Sequence, residues 1–220
     1  MREKIIEEIL KHRLIVIIRN VDREQLNPLV EALYDGGIRL IELTFCADGR
    51  IKDSEIAENI SILKKAFEGR MHIGAGTVIT ESQVELSAAA GAEFIISPDT
   101  YTPVIERTRA LGMVSIPGAI TPSEITHAHR AGADFVKLFP ISAMGPEYIK
   151  SITAPLSHIR LLAVGGIDEN NISDYFGVGV KGFGIGGNLV NKSLLANGDY
   201  DAIAKLASRY VKEVEMWQSI

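Results

Sequence analysis

The chain has 220 residues, 46% of them hydrophobic, with a formal net charge of −5 and a single cysteine, Cys46. An acidic balance gives no electrostatic case for nucleic acid, and no apolar run approaches the roughly 18 residues of a membrane span. One cysteine forms no internal disulfide, which suits a reducing cytoplasm.

Residues 1–220 read as one domain, with no linker, composition shift or low-complexity segment to divide them. Met1-Arg2-Glu3-Lys4 opens a charged amphipathic helix and not a signal peptide. Ile5, Ile6, Ile9 and Leu10 recur at helical spacing, so residues 2–12 are expected as a helix with one apolar face. Leu14 to Ile18 is a β-branched run ending at Arg19; Asp22 is placed to cap the next helix and Gly36-Gly37 to stop it. The second strand is Ile38 to Thr44, with Glu42 inside it, followed by a helix over residues 52–67. Met71 to Val78 is the third strand, and helices over 81–90 and 102–111 lead into strands at 93–98 and 113–117. Thr121-Pro122-Ser123-Glu124 has the cap, first-turn proline and third-position acid of a helix start.

The stretch Asp134-Phe135-Val136-Lys137-Leu138-Phe139-Pro140 sets one lysine in an apolar run, as in a buried parallel strand. Gly145-Pro146 starts another helix, Ile159 to Val164 is the seventh strand, Lys181 to Ile185 the eighth, and residues 200–216 the closing helix. Two units share wording, Ala90-Gly91-Ala92-Glu93-Phe94 and Ala131-Gly132-Ala133-Asp134-Phe135. Eight strands alternating with helices indicate an α/β protein, a (β/α)8 TIM barrel with an extra N-terminal helix; a doubly wound open sheet is the competitor.

In such a barrel the strands' C-terminal ends converge on one mouth. There the sequence gathers Arg19, Glu42, Thr44, Thr77, Ser97, Lys137 and two glycine pairs, Gly165-Gly166 and Gly186-Gly187. A lysine deprived of water has a lowered pKa, and its neutral amine attacks a carbonyl to give a Schiff base; the bland reading is that Lys137 ends its strand and reaches solvent. Glu42 among apolar neighbours should have a raised pKa and shuttle protons, or else form a structural ion pair with Lys137 or Arg19. Paired glycines after strands seven and eight let backbone N–H groups hold a phosphate, with Asn188 as a further donor and a helix start beyond it; they also make simple tight turns.

Two matches to G-x-G-x-x-G, at residues 177–182 and 182–187, lack the strand–turn–helix context of a dinucleotide site. His127 and His129 are two apart on an expected helix and face different ways, so no metal or other cofactor is expected. Cys46 reads as a plain loop cysteine.

Together, Ile41-Glu42-Leu43-Thr44, Gly74-Ala75-Gly76-Thr77-Val78, Ile116-Pro117-Gly118, Val136-Lys137-Leu138-Phe139-Pro140 and Val164-Gly165-Gly166-Ile167 resemble the class I 2-keto-3-deoxy-6-phosphogluconate (KDPG) aldolase family. That family includes the 4-hydroxy-2-oxoglutarate (KHG) and 2-keto-3-deoxy-6-phosphogalactonate (KDPGal) aldolases. The resemblance runs from about residue 14 to the end. It implies a homotrimeric barrel that splits a phosphorylated keto-deoxy sugar acid into pyruvate and an aldehyde such as glyceraldehyde 3-phosphate. It also implies that Lys137 forms the Schiff base, Glu42 moves protons, Thr77 meets the carboxylate end and Phe139 packs near the imine. Gly165, Gly166, Gly186 and Gly187 would line the phosphate site. Arg19, Thr44, Pro98 and Asn188 complete the expected substrate-binding set.

Two positions depart from the family pattern. Cys46 stands where many members carry a carboxylate-gripping arginine, leaving Arg19 or Arg50 to take over, and Asn188 stands where phosphate-binding members often carry serine. The segment from Pro140 to Pro146 looks closer to the phosphogalactonate branch, and the epimer stays open. Two other functions also stay open: a phosphosugar isomerase or epimerase on the same barrel, and a non-catalytic phosphosugar-binding protein.

Overall fold

The computed structural model describes residues 2–218. Met1, expected at the opening of the first helix, lies outside them. The elements run α1 (Arg2–His12), β1 (Leu14–Ile18), α2 (Arg23–Asp35), β2 (Leu40–Thr44), α3 (Asp53–Ala66), β3 (His72–Gly76), α4 (Glu81–Ala89) and β4 (Phe94–Ile96). They continue with α5 (Thr102–Ala110), β5 (Val114–Ile116), β6 (Gly118–Ala119), α6 (Pro122–Arg130), β7 (Val136–Leu138), α7 (Gly145–Thr153) and β8 (Leu161–Val164). A 3-10 turn (Ile172–Tyr175), β9 (Gly182–Ile185), α8 (Lys192–Ala196) and α9 (Tyr200–Gln218) complete the chain.

Among the described residues the strands form one parallel sheet in the order β5-β4-β3-β2-β1-β9-β8-β7-β6. Its two ends are consecutive in the chain and separated only by Pro117. That proline has no N–H to give a ladder, so the expected fifth strand breaks there and continues as β6. Backbone bonds across the break, Asp134 N to Ser115 O at 3.0 Å and Lys137 N to Pro117 O at 2.9 Å, draw the ends together. The result is the expected α/β barrel, made of nine short strands where eight longer ones were read.

The strands are shorter than their apolar runs suggest. The third stops at Gly76 and not Val78, because Thr77 turns the chain out of the sheet at φ +57°. Between β8 and β9 there is only the 3-10 turn, so strict alternation with α-helices fails there. Thr121 and Glu124 form the reciprocal capping box read from the sequence. Asp22 occupies its cap position, but its side chain accepts no bond from the helix.

Side chains sort by strand face. Ile15, Leu40, Phe94, Ile96, Val114, Ile116, Phe135 and Leu162 point into the barrel and meet Ile5, Ile6 and Ile9 of α1, which close its lower end. Arg2 of α1 pairs with Asp134, whose carboxylate also receives Arg109 at 2.7 Å and the Ser115 N–H at 3.0 Å. The opposite strand faces carry Val16, Ile41, Ile73 and Val136 into the larger layer beneath the helices. Closure below leaves the mouth above as the place for ligands.

Candidate active site

Glu42 and Lys137 both project into the barrel, from β2 and β7, and are 1% and 6% exposed. They share a small gap walled by Ile15, Ile96, Ile116 and Leu162. Space for the carboxylate comes from Gly76 on the neighbouring strand, where a Cβ would lie 2.4 Å from Glu42 Oε2. The ion pair considered from the sequence is not made: Glu42 joins none among the described residues, and its Oε2 has no hydrogen-bond partner. Burial therefore dominates, pushing Glu42 up to about 7 against the opposing pull of Lys137 and Arg19. Burial likewise holds Lys137 below the ordinary lysine range, opposed by Glu42 and reinforced by Arg19. The reading in which Lys137 reaches solvent at a strand end is thereby overturned.

Phe139 stands at the rim, 36% exposed, with its ring centroid 4.4 Å from Lys137 Nζ. A cation formed on that nitrogen would face the ring's negative quadrupole. Arg19 follows β1, points its guanidinium toward Thr77 Oγ1 at 3.5 Å and has no carboxylate partner among the described residues. Arg50, the other arginine weighed for the carboxylate, is spent on Asp48 at 2.6 Å, and Asp48 also receives the Cys46 thiol at 2.8 Å. Thr44, at the end of β2, is 4% exposed with an unpartnered hydroxyl. Pro98 is half-buried against Gly118, with its carbonyl oxygen only 2.3 Å from where a Cβ there would sit; Gly118 in turn pairs with Lys137.

A cavity of about 360 Å³ opens beside this centre, and Arg19, Phe139, Gly165, Gly166, Gly186, Gly187 and Asn188 line it. Gly165 and Gly166 have φ of +102° and +75°, a left-handed pair that side-chain-bearing residues avoid. Asn188 reaches the cavity with one of its two amide N–H groups donated to Ile167 O at 2.8 Å, a bond that ties the two glycine loops together. The helix start beyond it is the five-residue α8, capped by Asn191. Lys192 also lines the cavity and was missed from the sequence, where an isolated basic residue four positions past Asn188 carries no pattern. Among the described residues no three His, Cys, Asp or Glu side chains gather as a metal site, and no helix is long and apolar enough to cross a membrane.

The arrangement is an amine held below its ordinary pKa and a carboxyl raised to about 7, next to a glycine-lined, cation-bearing recess. The KDPG and KHG aldolase family matches residues 5–206. The chain belongs to that family. It is 38% identical over 198 residues to the probable 2-dehydro-3-deoxy-6-phosphogalactonate aldolase of Rhizobium meliloti, covering 89% of this chain and 90% of that one. A solved structure described as native KDPGal superposes with a TM-score of 0.84 at 31% identity, covering 94% of this chain and 96% of the other. The KDPG aldolase of Legionella pneumophila, with pyruvate captured as a covalent carbinolamine, superposes with a TM-score of 0.83 at 28% identity, covering 92% and 96%.

Proposed function

We propose that this chain is a class I aldolase that reversibly cleaves a 2-keto-3-deoxy-6-phospho sugar acid to pyruvate and glyceraldehyde 3-phosphate. The observation that carries the proposal is Lys137, buried in an apolar strand with its amine held below its ordinary pKa and next to the Glu42 carboxyl.

The neutral amine adds to the C2 ketone, and loss of water leaves an iminium. The electron pair of the C3–C4 bond flows into that cation to give an enamine. Glu42 takes the C4 hydroxyl proton as the aldehyde forms, then returns a proton to C3. Water hydrolyses the resulting iminium, which frees pyruvate and regenerates the amine. The Phe139 ring lies where it would favour the charged intermediate over the neutral amine. Arg19 and Thr77 receive the keto acid's carboxylate, with Thr44 and Pro98 beside them, and the glycine pairs receive the phosphate. The phosphogalactonate name of the Rhizobium relative favours that epimer. One domain over residues 1–220, a homotrimeric state and a cytoplasmic location belong to the same reading.

Borohydride reduction with pyruvate, followed by peptide mass analysis, tests the mechanism: a stable adduct is expected on Lys137. Lys137→Ala should abolish the adduct and turnover together. A variant retaining most of its activity would refute the mechanism, and steady turnover without any adduct would point to an isomerase or epimerase.

A further inference from the structure

Among the described residues only two charged side chains line the cavity beside the catalytic pair, Arg19 and Lys192, and both are cationic. Arg19 serves the inner side, reaching toward Thr77. Lys192 is exposed at the first position of α8, and its ammonium makes no hydrogen bond or ion pair among the described residues. Two polar side chains near it already hold partners. Asn188 donates to Ile167 O, and Asn191 Oδ1 accepts from the Ser193 and Leu194 N–H groups at 2.9 and 3.2 Å. A phosphate monoester carries about −1.5 to −2 at pH 7, and backbone N–H dipoles alone bind it without supplying a whole neutralising charge.

From this we infer that Lys192 is a specificity-determining residue for the far end of the substrate, selecting a dianionic phosphate over an uncharged or unphosphorylated terminus. The inference takes the substrate class from the aldolase reading. It adds a charge contact to the donor expected of Asn188. Lysine suits the task as a mobile point charge at a cavity rim, whereas the glycine loops supply the fixed geometry.

The test compares kcat/KM for the phosphorylated sugar acid with that for unphosphorylated 4-hydroxy-2-oxoglutarate, in the unaltered protein, Lys192→Ala and Lys192→Arg. The ratio should fall about tenfold in Lys192→Ala, the scale of one charge-assisted contact, and stay near its starting value in Lys192→Arg. Affinity for inorganic phosphate, measured by titration calorimetry, should weaken by about the same factor in Lys192→Ala. A ratio and a phosphate affinity both within about twofold of the unaltered protein would overturn the assignment. Pyruvate trapping on the unaltered protein reports separately on the aldolase reading. If trapping failed, the phosphate titration would still decide the role of Lys192.

Discussion

Near neutral pH about half of the Glu42 carboxyl groups hold a proton, because burial has moved the group to about 7. The cleavage direction needs the carboxylate as base and Lys137 as the free amine, so acidification removes both reactive forms. We expect kcat/KM to fall as pH drops below about 7 and Glu42→Gln to lower kcat by about 10²–10⁴. The same residue ties stability to pH. Its folded pKa lies above the ordinary glutamate value of 4.5, so the fold prefers the protonated form, and stability is lost as pH rises from 4.5 through about 7. Glu42→Gln should therefore unfold at a higher temperature than the unaltered protein at pH 8, by on the order of 3 kcal/mol or less, and show little difference at pH 4. Thermal melts across that range check the sign; a variant less stable at pH 8 would mean that the carboxylate is held by contacts rather than merely tolerated.

Among the elements, α1 bears most directly on stability. Ile5, Ile6 and Ile9 are 1%, 4% and 0% exposed and fill the barrel's lower end. Ile9→Ala should cost about 2–5 kcal/mol in a denaturant titration, leaving pyruvate trapping intact in the folded fraction. A loss under about 1 kcal/mol would show that the helix adds little to the barrel. This helix was legible in the sequence, because apolar residues at a period of 3.6 encode its buried face, and the alternation of apolar strand runs with helices pointed to a barrel with Glu42 and Lys137 near one mouth. Other features resisted such reading for local reasons. The break at Pro117 depends on which neighbours flank the strand on either side, which a one-dimensional pattern omits. The bond by which Asn188 ties the two loops could not be read, because its acceptor, Ile167 O, lies 21 positions away in the sequence. Lys192 comes to the cavity only through the path of its loop, and Arg50 is withdrawn by Asp48, a pairing no spacing rule singles out.

At the scale of the whole molecule, apolar side chains remain in solvent just ahead of α4, α5 and α7: Ile79 (39%), Tyr101 (47%) and Met144 (46%). Self-association would cover such surface. Light scattering at micromolar concentration should give three times the 24.0 kDa chain mass, and a monomer under those conditions would refute the trimer.

The helix stopper at the bottom of the barrel has a kinetic meaning as well. With one end sealed by isoleucines, everything that reaches the amine shares a single doorway, so traffic becomes a queue. The aldehyde is freed when its bond breaks, whereas the pyruvate carbons stay fixed to the amine until water hydrolyses them, so in this reading pyruvate leaves last. Product inhibition should accordingly show pyruvate competing with the intact sugar acid for the empty enzyme, and the aldehyde acting on a form already loaded.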